Sequence, residues 1–314
     1  MARIAYPVNG ILLFDKPLGL SSNAALQKVR RLFQAEKAGH TGTLDPLATG
    51  LLPICFGEAT KFSMGLLDAD KTYQALIRLG QTTTTGDAEG EIVANRPVAV
   101  DERLLQQVLA EFRGEIEQLP PMYSALKHQG KPLYEYIRKG EVVERTARSV
   151  TIHELILQRF AGAEVEITVR CSKGTYIRTL AEDIGTALGC GAHLGALRRL
   201  AIGPFSLGEA YSWETLEAME AQARQACLLP LDCMLLELPK LELDPTQVKR
   251  IAQGQRLVVA QAPSAERVRL YGNGAFIGVG RMLGKLLVAE RLLSNVAKNA
   301  AAAQLDLSNT PIEG

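Results

Sequence analysis

No stretch of this chain holds enough uninterrupted apolar residues to cross a bilayer, and the N-terminal run Ile11–Phe14 is too short for the apolar part of a secretion signal. A membrane protein and an exported one are therefore not expected, and the default compartment is the cytoplasm. Cysteine is sparse: Cys55, Cys171, Cys190, Cys227 and Cys233 are odd in number, far apart, and form no C-x-x-C pair. They are expected to be reduced, four of them as core filling. The four histidines make no H-E-x-x-H and no Cys/His cluster, which argues against a metal site. Net charge is nearly missing too, with 35 basic against 34 acidic residues, so no global field announces a polyanion or a lipid surface.

What is present is core-forming residue. With 314 residues and 47% hydrophobic content, the chain is expected to fold as about two domains. Charge is uneven locally. Residues 122–150 hold Lys127, Lys131, Arg138, Lys139, Arg145 and Arg148 against three acids, a net of +3, while 211–240 has a net of −3. Tyr123, Tyr134 and Tyr136 are interleaved with those bases, a pattern that suits looped or single-stranded nucleic acid and equally a solvated surface.

The stretch Gly39–Gly50 (GHTGTLDPLATG) carries three glycines and one acid, Asp45, which stands before Pro46. Glycine permits close backbone approach and Pro46 biases Asp45 toward an extended conformation, so a shaped loop is expected. Asp before Pro also begins many ordinary turns. Elsewhere, Ile11–Phe14 reads as a buried strand ended by the turn Asp15–Gly19, and Ser22 as the cap of a helix with Ala25, Leu26, Val29, Leu32 and Phe33 on its inner face. Tyr73, Ala75, Ile77 and Leu79 share one strand face. Gln81–Gly90 reads as a loop; Asp101 caps a helix whose stripe is Leu104, Leu105, Val108, Leu109 and Phe112. Val165–Cys171 alternates as a strand, and Thr175 is expected to cap the next helix. Arg178 then falls in that helix's first turn, off the apolar stripe and against the helix dipole. A carboxylate from another loop would account for it; an exposed arginine is the plainer reading. After Leu241–Pro245 the strand signals become short and glycine-broken, as in a small β domain.

Six blocks in one order then point to a family. They are Asp15-Lys16-Pro17-x-Gly19-x-Ser21-Ser22, Gly39–Gly50, Lys71-x-Tyr73, Pro121-x-Tyr123-Ser124-Ala125, Gly174–Arg178 and Leu197-Arg198-Arg199. On these residues the chain resembles the TruB-type tRNA pseudouridine synthases over most of its length. The resemblance implies an α+β fold: a mixed, mainly antiparallel sheet flanked by helices in residues 1–240. An RNA-clasping insertion at 121–148 and a small PUA-like β domain at 241–314 complete it. It implies isomerisation of uridine to pseudouridine at position 55, in the TΨC arm of tRNA, by a monomer with no cofactor or metal.

The same resemblance assigns Asp45 as the catalytic carboxylate, either nucleophile or base toward ribose. Arg178 becomes its ion-pair partner, and Tyr73 the stacking residue and candidate base for the C5 proton. Leu197 lines the pocket, His40 fills the space of the flipped base, and Gly42, Thr43 and Lys16 belong to substrate binding. A non-catalytic RNA-binding or RNA-folding protein using the same cleft is the competing expectation. A phosphohydrolase with Asp15 as nucleophile is disfavoured by Pro17, where a second acid is needed, and no Gly-Lys-Ser/Thr follows the glycines to make a phosphate loop.

Overall fold

The computed structural model describes residues 5–124, 126–137, 140–141 and 143–296. The first elements are β1 (Gly10–Lys16), α1 (Ser22–Leu32), β2 (Ala38–His40), β3 (Ala48–Phe56), α2 (Met64–Asp68) and β4 (Lys71–Leu79). A short ribbon of β5 (Gln81–Thr83) and β6 (Ile92–Asn95) leads to α3 (Glu102–Glu111) and β7 (Gly114–Gln118). The segment expected as an insertion carries a small hairpin, β8 (Lys127–His128) and β9 (Lys131–Pro132), and α4 (Leu133–Ile137). Ala125, Arg138, Lys139 and Val142 of that expectation lie outside the described residues, as do the ends 1–4 and 297–314 of the expected domains. The chain continues through β10 (Arg148–Ala161), β11 (Glu164–Cys171), α5 (Ile177–Ala187), β12 (Ala192–Ile202), β13 (Phe205–Ser206), α6 (Trp213–Ala218) and α7 (Ala221–Ala226).

The main sheet runs β1-β3-β12-β4-β11-β10-β7, and only the β3–β12 pairing on this path is parallel. The mixed, mainly antiparallel α+β architecture is as expected. Alternation along β1 divides two cores: Leu12 and Phe14 pack with Ala25, Leu26 and Val29 of α1, while Ile11 and Leu13 pack on the opposite side with Phe62 and Leu66. A third core joins Ala75 and Ile77 of β4 to Leu105 and Leu109 of α3 and Leu180 and Ile184 of α5. Each fully buried Leu or Ile there contributes about 2 kcal/mol, which fixes the helices to the sheet more firmly than their own propensities do.

The remaining elements, β14 (Lys240–Leu243), α8 (Pro245–Ala252), β15 (Leu257–Val258), β16 (Arg267–Gly272), β17 (Ala275–Leu283) and β18 (Leu286–Leu292), form a separate five-stranded sheet in the order β14-β16-β17-β18-β15. It is attached by apolar contact, Val279 and Leu293 entering the core of Ile11 and Leu13, and by polar clasps. The Glu58 carboxylate accepts from Ser294 N at 2.6 Å, and Asp232 accepts from Tyr271 and from Arg269.

Several local expectations change. The strand of Ile11–Phe14 runs on through Asp15 and Lys16, which pair with Leu51 and Gly50 of β3 instead of turning. Ser21, not Ser22, caps α1, accepting from Ala24 N at 3.2 Å. Leu104 lies outside the α3 stripe and is exposed. The loop expected at Gln81–Gly90 begins as β5, and Thr175 does not cap α5: its hydroxyl donates to the Ser172 carbonyl, while the Gln118 side chain accepts from Tyr176 N at 3.0 Å. At the start of α5 the partner comes from far along the chain, 58 positions away, where local pattern assigned it to the nearest hydroxyl.

Candidate active site

The site begins where a β ladder divides. One edge of β3 pairs with β12 through residues 48–50 and with β2 through residues 54–56. Between the two contacts the chain Thr41–Leu47 leaves the sheet as a loop. The glycines expected to shape it do so at two points: Gly42 has φ +75° and Gly50 φ +98°, where a side chain is strained, and a Cβ at Gly50 would collide with the backbone of Arg199 on β12. The carbonyl left over in the gap, that of Leu51, accepts from Arg199 Nε at 2.7 Å. Ser22, displaced from the capping role, ties the loop down from the other side; its Oγ accepts from Leu44 N at 2.7 Å and donates to Leu44 O at 2.9 Å. Leu44 is consequently buried, and Asp45 beside it is directed into an open cleft of about 690 Å³ with 52% of its side chain exposed.

Arg178 is the expected partner and more. Its Nη2 lies 2.5 Å from Asp45 Oδ2 and its Nε 3.0 Å from Asp87 Oδ2, while Nη1 donates to the carbonyls of Thr85 and Tyr123. Only 8% of the Arg178 side chain is exposed and only 4% of Asp87's, so this second ion pair is the buried one. Asp87 is itself held: its Oδ1 accepts from Thr85 Oγ1 at 2.6 Å and from Glu89 N at 3.1 Å. A buried guanidinium without a matching carboxylate is costly, whereas one fixed on Asp87 can hold an outward carboxylate in a single orientation. Burial, and then the neighbouring charges of Asp87 and Asp45, raise the Glu89 carboxyl above its ordinary range.

Tyr73, Leu197, Gly42 and Thr43 line the same cleft. Burial raises the Tyr73 hydroxyl above an ordinary phenol, and Arg199 opposes that rise by its charge and as a hydrogen-bond donor. Lys16 stands behind the cleft, fully buried, its ammonium donating to the carbonyls of Pro17 at 3.0 Å and Leu20 at 2.6 Å. Burial lowers it to about 8 against the opposing pull of Asp45. His40, at the end of β2, is not among the cleft-lining residues; its Nδ1 is buried with no partner among the described residues, and burial followed by Arg199 lowers its pKa, which keeps the ring neutral.

Asp87, Arg199, Ser22 and Gln118 were missed as site residues. Asp87 sits in a polar loop with nothing in its spacing to set it apart. Arg199 belongs to the Leu197-Arg198-Arg199 block, in which the resemblance gives a role to Leu197 alone. Among the described residues no group of three His, Cys, Asp or Glu side chains could hold a metal ion, and no helix is long and apolar enough to span a membrane.

With this geometry in place, comparison with known proteins is informative. Residues 30–177 match the N-terminal domain model of the TruB family of pseudouridylate synthases, 178–236 a tRNA pseudouridylate synthase B C-terminal domain, and 239–293 the C-terminal model of pseudouridine synthase II TruB. The chain is 55% identical to a tRNA pseudouridine synthase B of Chromohalobacter salexigens over 95% of its length and 98% of the relative's. It is 56% identical to one of Azoarcus sp., covering 91% and 95%. Among solved structures it is similar to a chain of a Cbf5–Nop10–Gar1 complex, with TM-score 0.68 and 26% identity over 90% of this chain and 84% of that one. A chain of an H/ACA RNP bound to a substrate RNA containing 2'-deoxyuridine is similar with TM-score 0.66 and 25% identity over 90% and 84%.

Proposed function

The chain belongs to the TruB family of pseudouridylate synthases, and we propose that it isomerises uridine to pseudouridine at position 55 of tRNA in the cleft around Asp45. The observation that carries this reading is the Asp45–Arg178–Asp87 arrangement. It offers one carboxylate, outward and partly exposed, held by a guanidinium whose other side is anchored in the interior.

The chemistry exchanges a C–N glycosidic bond for a C–C bond. One proton leaves C5 of the base and one arrives at N1, so no atom is gained and no electron acceptor is required. A base inside a folded RNA loop must first leave its stack, at roughly a few kcal/mol, which stacking in a pocket offsets. The cleft volume of about 690 Å³ accommodates a nucleoside. Asp45 serves as nucleophile or base toward the sugar, its carboxylate held in one orientation by Arg178. Tyr73 stacks on the uracil and receives the C5 proton, Leu197 bounds the pocket, and Gly42 and Thr43 meet the RNA backbone. His40, neutral and flat, takes the space the base vacates. Lys16 acts at a distance, holding the turn after β1 and adding positive charge near Asp45.

Residues 1–240 carry out catalysis in this reading, with 121–148 clasping the TΨC arm and the PUA-like segment from 241 adding RNA contact. The reading is of a monomer acting in the cytoplasm. The test uses a tRNA transcript carrying tritium at uridine C5. The wild-type chain is expected to release the label and Asp45→Asn to bind the transcript without releasing it; retention of the label by the wild-type chain would overturn the proposal.

A further inference from the structure

Arg199 is a large side chain only 1% exposed, and among the described residues no carboxylate lies within ion-pair range of it. This is unlike Arg178, which has two. Buried charges are normally paired, since an isolated cation in the interior is expensive and a neutral residue of similar size packs there at lower cost. Arg199 is compensated only by neutral oxygens. Its Nε donates to the Leu51 carbonyl at 2.7 Å and its Nη2 to the Gly42 carbonyl at 3.2 Å. On β12 it stands opposite Tyr73 of β4 and beside Gly50 of β3, so the three central strands meet at this residue.

The surroundings are shaped to admit it. A Cβ at Gly42 would come within 3.2 Å of Arg199 Nη1, and Gly50 leaves room for the Arg199 backbone. Two of the three glycines in Gly39–Gly50 are thus occupied with this one arginine. Hydrogen bonds to Leu51 and Gly42 alone do not explain a full positive charge, because a neutral amide could donate both. A cation with no counter-ion is suited to an anion that appears only during reaction.

Resting on the isomerase reading above, we propose that Arg199 is a positioning residue: one buried guanidinium holds the Gly42 carbonyl of the catalytic loop and the Tyr73 hydroxyl in fixed relation, and its charge supports Tyr73 as the acceptor of the C5 proton. The balance is closed. The Tyr73 oxygen, its own proton given to water, takes the proton from C5 while N1 is protonated from water, and Tyr73 returns its proton to solvent in the next cycle. Burial opposes ionisation of Tyr73, and Arg199 is the largest influence working the other way.

The test compares Arg199→Lys with the wild-type chain, reading single-turnover tritium release, tRNA affinity and the titration of a 13Cζ label on Tyr73. Arg199→Lys keeps a charge but not the forked reach. It is expected to release tritium about 100-fold more slowly with tRNA affinity within about threefold, and to titrate Tyr73 at higher pH than the wild-type chain does. A folded Arg199→Lys with unchanged rate, or with an unchanged Tyr73 titration, overturns the proposal. Should the lysine variant fail to fold, Tyr73→Phe decides: the 15N resonances of the Arg199 guanidinium are expected to move when the hydroxyl is removed, and unmoved resonances overturn the pairing. Failure of the functional reading is distinguishable, since a wild-type chain that releases no tritium leaves the titration and nitrogen resonances to report on the pair independently.

Discussion

The two walls of the cleft each contain a buried arginine, and the contrast between them shows how one fold uses the same residue in two ways. On the α5 side, Arg178 is neutralised twice, by buried Asp87 and by outward Asp45. On the β12 side, Arg199 donates to the Leu51 and Gly42 carbonyls beside Tyr73, and among the described residues no carboxylate is within ion-pair range of it. The first arrangement fixes a charge that is already there, the Asp45 carboxylate. The second leaves a positive field unspent next to a group that is neutral at rest. Both cations position, Arg178 a carboxylate and Arg199 neutral oxygens, and only the second keeps its charge free for one that develops.

Four measurements would break or sharpen this contrast. Asp45→Asn empties the acidic wall of its working group and is expected to lower single-turnover tritium release by about 10⁴-fold or more while tRNA binding persists. A variant retaining a tenth of wild-type release would remove Asp45 from the chemistry. Gly50→Ala strikes the other wall, because it adds a Cβ against the Arg199 backbone at φ +98°; urea denaturation is expected to show a loss of about 3 kcal/mol or more. The control, Gly39→Ala, has nothing nearer than the Thr60 methyl at 3.8 Å and should stay within about 1 kcal/mol. An equal loss at both positions would deny that the loop is built around Arg199.

Asp87→Asn leaves Arg178 facing a neutral amide, and its release rate is expected to fall by about 10- to 100-fold as Asp45 loses its fixed orientation. Wild-type kinetics in that variant would reduce Asp87 to a loop anchor. The smallest effect concerns His40, whose pKa is held below 6.5 by burial and then by Arg199. The unfolded chain takes up this proton first, so between 6.5 and the lower folded value stability rises with pH and is lost on acidification, by at most about 1.4 kcal/mol per pH unit. Replacing His40 by Phe should flatten that part of a denaturation series collected from pH 7 to pH 5, and an unchanged slope would place its origin elsewhere.

The sequence disclosed a shaped loop around Asp45 through its glycines and Pro46, and the family resemblance, more than the loop itself, set its acid apart from an ordinary Asp-Pro turn. It offered two readings of Arg178, an exposed arginine or the partner of a distant carboxylate, and the family resemblance pointed to the second, which the geometry with Asp45 bears out. It was silent on Asp87, which looks like any acid in a polar loop until the β5–β6 ribbon carries it under α5. It misassigned Ser22 and Thr175 as caps for a similar reason: a hydroxyl near a helix start has local and distant partners of equal chemistry, and only packing chooses.

For this protein the sequence by itself marked several of the strands and helices and a shaped loop holding one acid. Periodicity, glycine and proline act over a few residues and can be read without the fold. The tertiary structure decided which cation has a counter-ion and which has none, and why Gly42 and Gly50 are glycines. Arg199 meets Gly42 across 157 positions of chain, and Arg178 meets Asp45 across 133. Electrostatic pairing and close approach depend on distance in space, and at such separations in sequence only the sheet register and the burial of the core determine it.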